Sequence, residues 1–228
     1  MKRIFVPTRH PEDWRLGLAE PEKQWKPGYS AQTLAECWEA KEGFPVEVGD
    51  LFARSGVPFF QTVQLLLAIP EYAVELPGGE RPSQNDIFVL GKCADGELVS
   101  ITVEGKVRES FGPTLGEWRQ APSPGKQQRL AYLTETIGLP ANLPDTLRYQ
   151  FLHRTASALI EARRFNASRA AMIVHSFGGS STGFADYQAF TTLYGVPAEK
   201  DRLLFLKDCQ NIGLYCGWVS GVSLAPRA

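Results

Sequence analysis

Two strand-like runs on either side of Asp95-Gly96 constrain this chain most. Asp-Gly is a tight-hairpin dipeptide, because its backbone tolerates the positive φ that such turns need. Before it lies Asp86–Lys92 and after it Glu97–Val107, with β-branched residues at Val99, Ile101, Val103 and Val107. Side chains alternate across a strand, so Thr102, Glu104 and Lys106 share one face while Ile101, Val103 and Val107 share the other. Counting outward from the turn brings Asp86 roughly opposite Glu104. Facing residues on paired strands have Cβ atoms about 4.5–5.5 Å apart, and two carboxylates that close repel unless something compensates. A divalent cation does so, since Mg²⁺ takes oxygen ligands and is commonly held by one or two carboxylates plus substrate phosphate. Lys106 can then position an attacking water or offset phosphate charge. The rival explanation is a solvated Glu-x-Lys face. The apolar strand around it and the matching Asp86 argue against that.

The flanking sequence supplies the rest of an α/β domain. Ser30 is read as the N-cap of a helix with Ala31, Leu34, Ala35 and Trp38 on its apolar side. Phe59–Ala68 is read as a second helix stopped by Pro70, and Tyr72–Leu76 as a strand turned by Pro77-Gly-Gly. Past a Gly/Pro-rich passage from Phe111 to Gly125, helices are expected over Lys126–Ile137 and Asp145–Phe165. A strand follows over Ala170–Val174, a helix over Asp186–Tyr194 and a last strand over Ile212–Val219. At 228 residues, 43% hydrophobic, the chain is read as a single domain. Residues 1–55 form an N-terminal extension that includes the first helix, and 56–228 the α/β core.

The composition excludes several classes. No apolar run reaches the roughly 18 residues of a membrane span, and the start of the chain lacks the apolar core of a secretory signal. The expectation is a cytoplasmic protein without a membrane partner. Four cysteines (Cys37, Cys93, Cys209, Cys216) and three histidines (His10, His153, His175) form no C-x-x-C or similar paired set, so a structural zinc is not expected. The cysteines read as buried thiols. A formal net charge of −1 gives no global steering toward nucleic acid, so a basic binding surface would be local.

Asp86 followed by Glu104-Gly105-Lys106 on the second and third strands after a helix resembles the PD-(D/E)xK, restriction-endonuclease-like superfamily. The resemblance runs over roughly Ser30 to Val174. It implies a core of helix, three-stranded antiparallel meander, helix and strand, with Asp86 and Glu104 holding Mg²⁺ or Mn²⁺ and Lys106 serving catalysis. Asn85 stands where the superfamily usually has Pro. Some members of that superfamily have lost catalysis and only bind. The implied function is hydrolysis of a phosphodiester, with nucleic acid as the expected partner, and the alternative is a non-catalytic binding or regulatory module. Over its whole length the chain also resembles a bacterial family with no established activity, through Trp25-Lys-Pro-Gly-Tyr-Ser30, Ser83-Gln-Asn-Asp86, Val103-Glu-Gly-Lys106, Ser123-Pro-Gly-Lys126 and His153-Arg-Thr-Ala-Ser157.

Secondary candidates surround these residues. Glu36 on the Ser30 helix is the preferred third acidic ligand, beside Glu39. A polar stripe of Gln150, Arg154, Ser157, Glu161 and Arg164 on an otherwise apolar helix needs partners. Gln150 and Arg154 are candidate substrate contacts, with an internal pair from Arg154 to Glu161 or Asp186 as the duller alternative. Lys126 opens a helix whose N-terminus favours anions, while plain capping by Ser123 explains the same residues. Gly179-Ser-Ser-Thr-Gly183 spells G-x-S-x-G, which makes a serine hydrolase using Ser181 a third reading. That arrangement requires a downstream histidine, and none follows Ser181.

Overall fold

The computed structural model describes residues 7–177 and 183–221. A short 3₁₀ turn, Pro11–Leu16, precedes helices α1 (Pro21–Gln24), α2 (Ser30–Glu39), α3 (Val46–Ala53) and α4 (Pro58–Gln61). Strands β1 (Gln64–Val74), β2 (Ser83–Lys92) and β3 (Leu98–Lys106) follow, then α5 (Leu115–Arg119), α6 (Pro124–Thr136) and α7 (Tyr149–Phe165). The remainder is β4 (Arg169–Ser176), α8 (Phe184–Thr192), β5 (Leu203–Asp208) and β6 (Gly213–Ser220). The chain is a mixed α/β protein built on an open six-stranded sheet of order β1-β2-β3-β4-β6-β5. β1, β2 and β3 form an antiparallel meander, β4 runs parallel to β3 and β6, and β5 returns antiparallel to β6.

Helices cover both faces. The even-numbered side of β3 meets α7, where Ser100 Oγ and Thr102 Oγ1 donate to the carbonyls of Ala158 and Arg154 at 2.8 and 3.0 Å. These bonds satisfy two buried hydroxyls and fix the height of α7 over the sheet. The other side is apolar. Ile87, Val89, Ile101, Val103 and Ile173 pack against Leu34 and Trp38 of α2 and Val48, Leu51 and Phe52 of α3. Burial on both faces explains why the central strands read as near-continuous apolar runs. Helix α2 therefore belongs to one layer of the sheet's packing.

Two expectations are corrected. The run Phe59–Ala68 is not a helix: α4 ends at Gln61 and the chain enters β1 at Gln64. Its apolar spacing suited a helix, but pairing with β2 offers the backbone a full ladder, and β1 lies at the sheet edge with Leu66 and Leu67 exposed. Ser30 is the first helical residue, with Tyr29 at the cap position, and the Glu109 carboxylate accepts from the Ser30 N–H at 2.7 Å in place of a local cap. Helix α3 and strand β5 were not anticipated. β5 reads Leu-Leu-Phe-Leu-Lys-Asp and sits on the opposite edge. Among the described residues no helix is long and apolar enough to cross a membrane.

Candidate functional site

The meander brings three carboxylates into a row. The β2–β3 register pairs Ile87 with Val103, and one step further places Asp86 beside Glu104. On the other side, the β1–β2 pairs Pro70↔Ile87 and Tyr72↔Asn85 bracket Glu71 against Asp86. Glu71 has a φ of +50°, rare for a residue with a side chain, and interrupts the regular ladder at this point. Its carboxylate accepts from Gln84 Nε2 at 2.8 Å, and the same amide group donates to the Gly17 carbonyl at 2.8 Å.

Glu104 is the centre of the group. Only 3% exposed, it accepts from Lys106 Nζ and, at 2.7 Å, from Gln150 Nε2 on one oxygen, and from Arg154 Nε at 2.6 Å on the other. Arg154, 8% exposed, also extends toward Asp86, with its Nη2 3.8 Å from Asp86 Oδ1. The other Asp86 oxygen accepts from the Gly105 N–H at 2.8 Å. Lys106 lies 4.9 Å from the centroid of the Phe111 ring, a cation–π contact. Gln84, Lys106, Phe111, Gln150, His153 and Arg154 help to line an adjoining cleft of about 440 Å³. At its edge His153 Nδ1 and Ser83 Oγ share a hydrogen bond of 2.8 Å, and burial together with the Arg154 charge pushes the imidazole well below its usual range.

With all three carboxyls ionised, three carboxylates facing two cations would leave the group one negative charge in excess. Burial would raise Glu104, but the charges and hydrogen bonds of Arg154 and Lys106 outweigh it and hold the carboxyl at about 2. The strain falls on its neighbours. Burial and the Glu104 charge push Asp86 up to about 7, and burial with the Asp86 charge pushes Glu71 up to about 8. Glu71 and Asp86 therefore hold protons more tightly folded than unfolded, from the ordinary carboxyl range near 4 upward. Stability should fall as pH rises through that window. Glu104 has the opposite sign, its contribution being present at neutral pH and lost as pH falls below the ordinary carboxyl range. The expected result is a metal-free protein that melts roughly 4–8 °C lower near pH 9 than near pH 6, for a linked free energy on the order of 2 kcal/mol. Asp86→Asn should flatten the slope. A melting temperature constant across the range would mean that the carboxyls titrate normally.

The structure brings together Asp86, Glu104, Lys106, Gln150 and Arg154. It does not bring in the other two candidates. Glu36 is exposed on the outer side of α2, where it accepts from Gln32 Nε2 at 2.9 Å, because its position on the helix turns away from the sheet. Lys126 donates to the Trp118 carbonyl at 2.7 Å and lies 5.3 Å from that ring's centroid, outside the cleft lining. Ser123 does cap its helix, accepting from the Lys126 N–H at 3.2 Å. The polar stripe of α7 is partnered throughout. Ser157 donates to the His153 carbonyl, Glu161 bonds Tyr72 and Arg164, and Asp186 takes Arg148 rather than Arg154. Ser181 lies outside the described residues. Glu71 was missed because the sequence reading began this strand at Tyr72. The available signal was an acid as far before Gly78-Gly79 as its partner Asp86 is beyond it.

Neither a curated protein nor a solved structure matches the chain. The chain belongs to the family described as "Domain of unknown function (DUF6946)", whose pattern it matches over residues 7–223.

Proposed function

We propose that this protein is a metal-dependent phosphodiesterase of the restriction-endonuclease-like type, acting on a phosphodiester in nucleic acid. The observation that carries the proposal is the convergence of Asp86, Glu104 and Lys106 beside a cleft that Arg154 also lines. The order helix, antiparallel meander, helix, parallel strand agrees with that reading, with β1, β2, β3, α7 and β4 as its core. The donor set suits a hard cation, since the carboxylates supply only oxygen ligands. Asp86 and Glu104 would hold Mg²⁺ or Mn²⁺, which when bound polarises a phosphoryl oxygen and makes water a better nucleophile.

The chain's own groups supply the remaining chemistry. Lys106, anchored by Glu104 and the Phe111 ring, presents its ammonium to the cleft and offsets charge on a bound phosphoryl group. Arg154 offers a planar donor fork suited to phosphate oxygens. Gln150 fixes Glu104 through its amide nitrogen while its Oε1 has no partner, leaving an acceptor for a substrate or water hydrogen.

One observation favours the second reading, a binding module on the same fold. Arg154 already stands between Glu104 and Asp86, where it compensates charge as a cation would. Mn²⁺ separates the readings. A ligand that binds only the native state raises its melting temperature. The hydrolase reading expects Mn²⁺ to do so for wild type and far less for the Asp86→Asn, Glu104→Gln double variant. An equal shift in both proteins would place the metal elsewhere on the protein or make the effect non-specific, and no shift in either favours the binding module.

A further inference from the structure

On the sheet face opposite the carboxylates, three side chains with metal-ligating atoms meet from three elements. Cys37 comes from α2, Glu47 from the first turn of α3 and His175 from β4. The thiol sulfur, a carboxylate oxygen and a ring nitrogen all lie within 4.8 Å of one another. Among the described residues no other three His, Cys, Asp or Glu side chains gather this closely. His175 is fully buried, 0% exposed. Its Nδ1 accepts from Trp38 Nε1 at 3.2 Å, so the ring proton sits on Nε2, and Nε2 has no hydrogen-bond partner. A buried donor left unmet is costly, on the order of 1–3 kcal/mol. Nothing in the hydrolytic proposal uses any of these groups.

We propose that Cys37, Glu47 and His175 form a binding site for a zinc-type transition ion. A thiolate with an imidazole selects such an ion over Mg²⁺, which prefers oxygen ligands alone. Three protein ligands leave the fourth tetrahedral position to water. Cys37 and Glu47 are half-buried, while His175 is buried. Ligands around a tetrahedral zinc lie about 3.5 Å apart, within reach of side-chain adjustment from a group already inside 4.8 Å. The thiol gives up its proton as sulfur bonds the ion, and one proton is released per ion bound.

The Trp38 contact makes the proposal sharp. An ion bound at Nδ1 displaces the Trp38 N–H. An ion bound at Nε2 drives the ring proton to Nδ1, which can then no longer accept. Either way the Trp38–His175 hydrogen bond ends, so the indole reports binding.

Titration of the metal-stripped full chain with Co²⁺, a coloured stand-in for zinc, tests the site. One equivalent should produce a thiolate-to-cobalt charge-transfer band, change the tryptophan fluorescence and yield to Zn²⁺ in competition. Cys37→Ser should abolish the band, while Cys93→Ser and Asp86→Asn keep it, separating this site from the all-oxygen one. Glu47→Gln should weaken Co²⁺ at least ~10-fold. Cys37→Ser and Glu47→Gln alter half-buried positions, so the test does not depend on a His175 variant folding. Absence of the band, or a band that survives Cys37→Ser, overturns the assignment.

Discussion

Arg154→Ala should lower stability by roughly 3–5 kcal/mol, the range for removing one partner of a buried ion pair. For a chain of this size that is a fall in melting temperature of roughly 6–20 °C. Arg154 is buried and bonds Glu104 directly while reaching toward Asp86, so its loss leaves three carboxylates with Lys106 as their nearby cation. Pairing it with Glu104→Leu should cost less than the sum of the two single changes, because the two charges lost compensate each other and Lys106 is left to face Asp86. Mn²⁺ should restore more stability to Arg154→Ala than to wild type, since the cation can occupy ground that the guanidinium held. A loss below about 1 kcal/mol would mean that water replaces the guanidinium freely and that the network is a surface feature.

Lys106→Ala should leave Mn²⁺ binding intact yet reduce phosphodiester hydrolysis by about 10²–10⁴-fold. An ammonium has donors and no acceptor, so it is not a metal ligand, and its removal takes away charge compensation or water positioning alone. Glu104→Gln should lose both metal affinity and rate. The measurement is cleavage of single-stranded DNA, duplex DNA and RNA with Mn²⁺, alongside calorimetric metal binding and circular dichroism. A folded Lys106→Ala protein that cleaves at the wild-type rate sinks the catalytic role. If wild type cleaves none of these substrates, the binding module takes precedence, and Lys106 becomes the fixed counter-ion that lets Glu104 stay ionised inside the sheet.

What could be read from the sequence follows the range of each physical rule. Strand alternation is local, so Thr102, Glu104 and Lys106 could be placed on one face, and the structure turns all three toward α7. The Asp95-Gly96 turn locates the hairpin, so Asp86 could be counted to within one residue of Glu104, and the loop closed between Cys93 and Glu97 sets the observed register. Glu71 depends on the preceding connection, whose length no dipeptide specifies, and on a left-handed backbone that no propensity anticipates for glutamate. Phe59–Ala68 shows the limit of periodicity: an apolar run that suits a helix becomes an edge strand when a neighbour offers a ladder. The stripe on α7 showed that partners must exist, but Arg154 finds its own some 50 residues away. Cys37, Glu47 and His175 share no spacing at all. Their meeting follows from α2 and α3 packing on the same side of β4, which only the assembled sheet defines.

Gly105 sits between the two charged residues of β3 and does two things at once. Its N–H holds Asp86 on one side, and on the other its bare Cα leaves room for α2. A methyl group there would meet Leu34 Cδ2 at 3.2 Å and Asp86 Oδ2 at 3.5 Å. The clearance between the helix layer and the carboxylates is thus set by a hydrogen atom, with only tenths of an ångström to spare. Drift at this position is therefore felt first by α2: a methyl group rests in ordinary contact with Asp86 but needs Leu34 to give by a few tenths of an ångström. Any variant that enlarges residue 105 is a wedge between scaffold and chemistry, and its revertants should arise at Leu34, far from the cleft it disturbs.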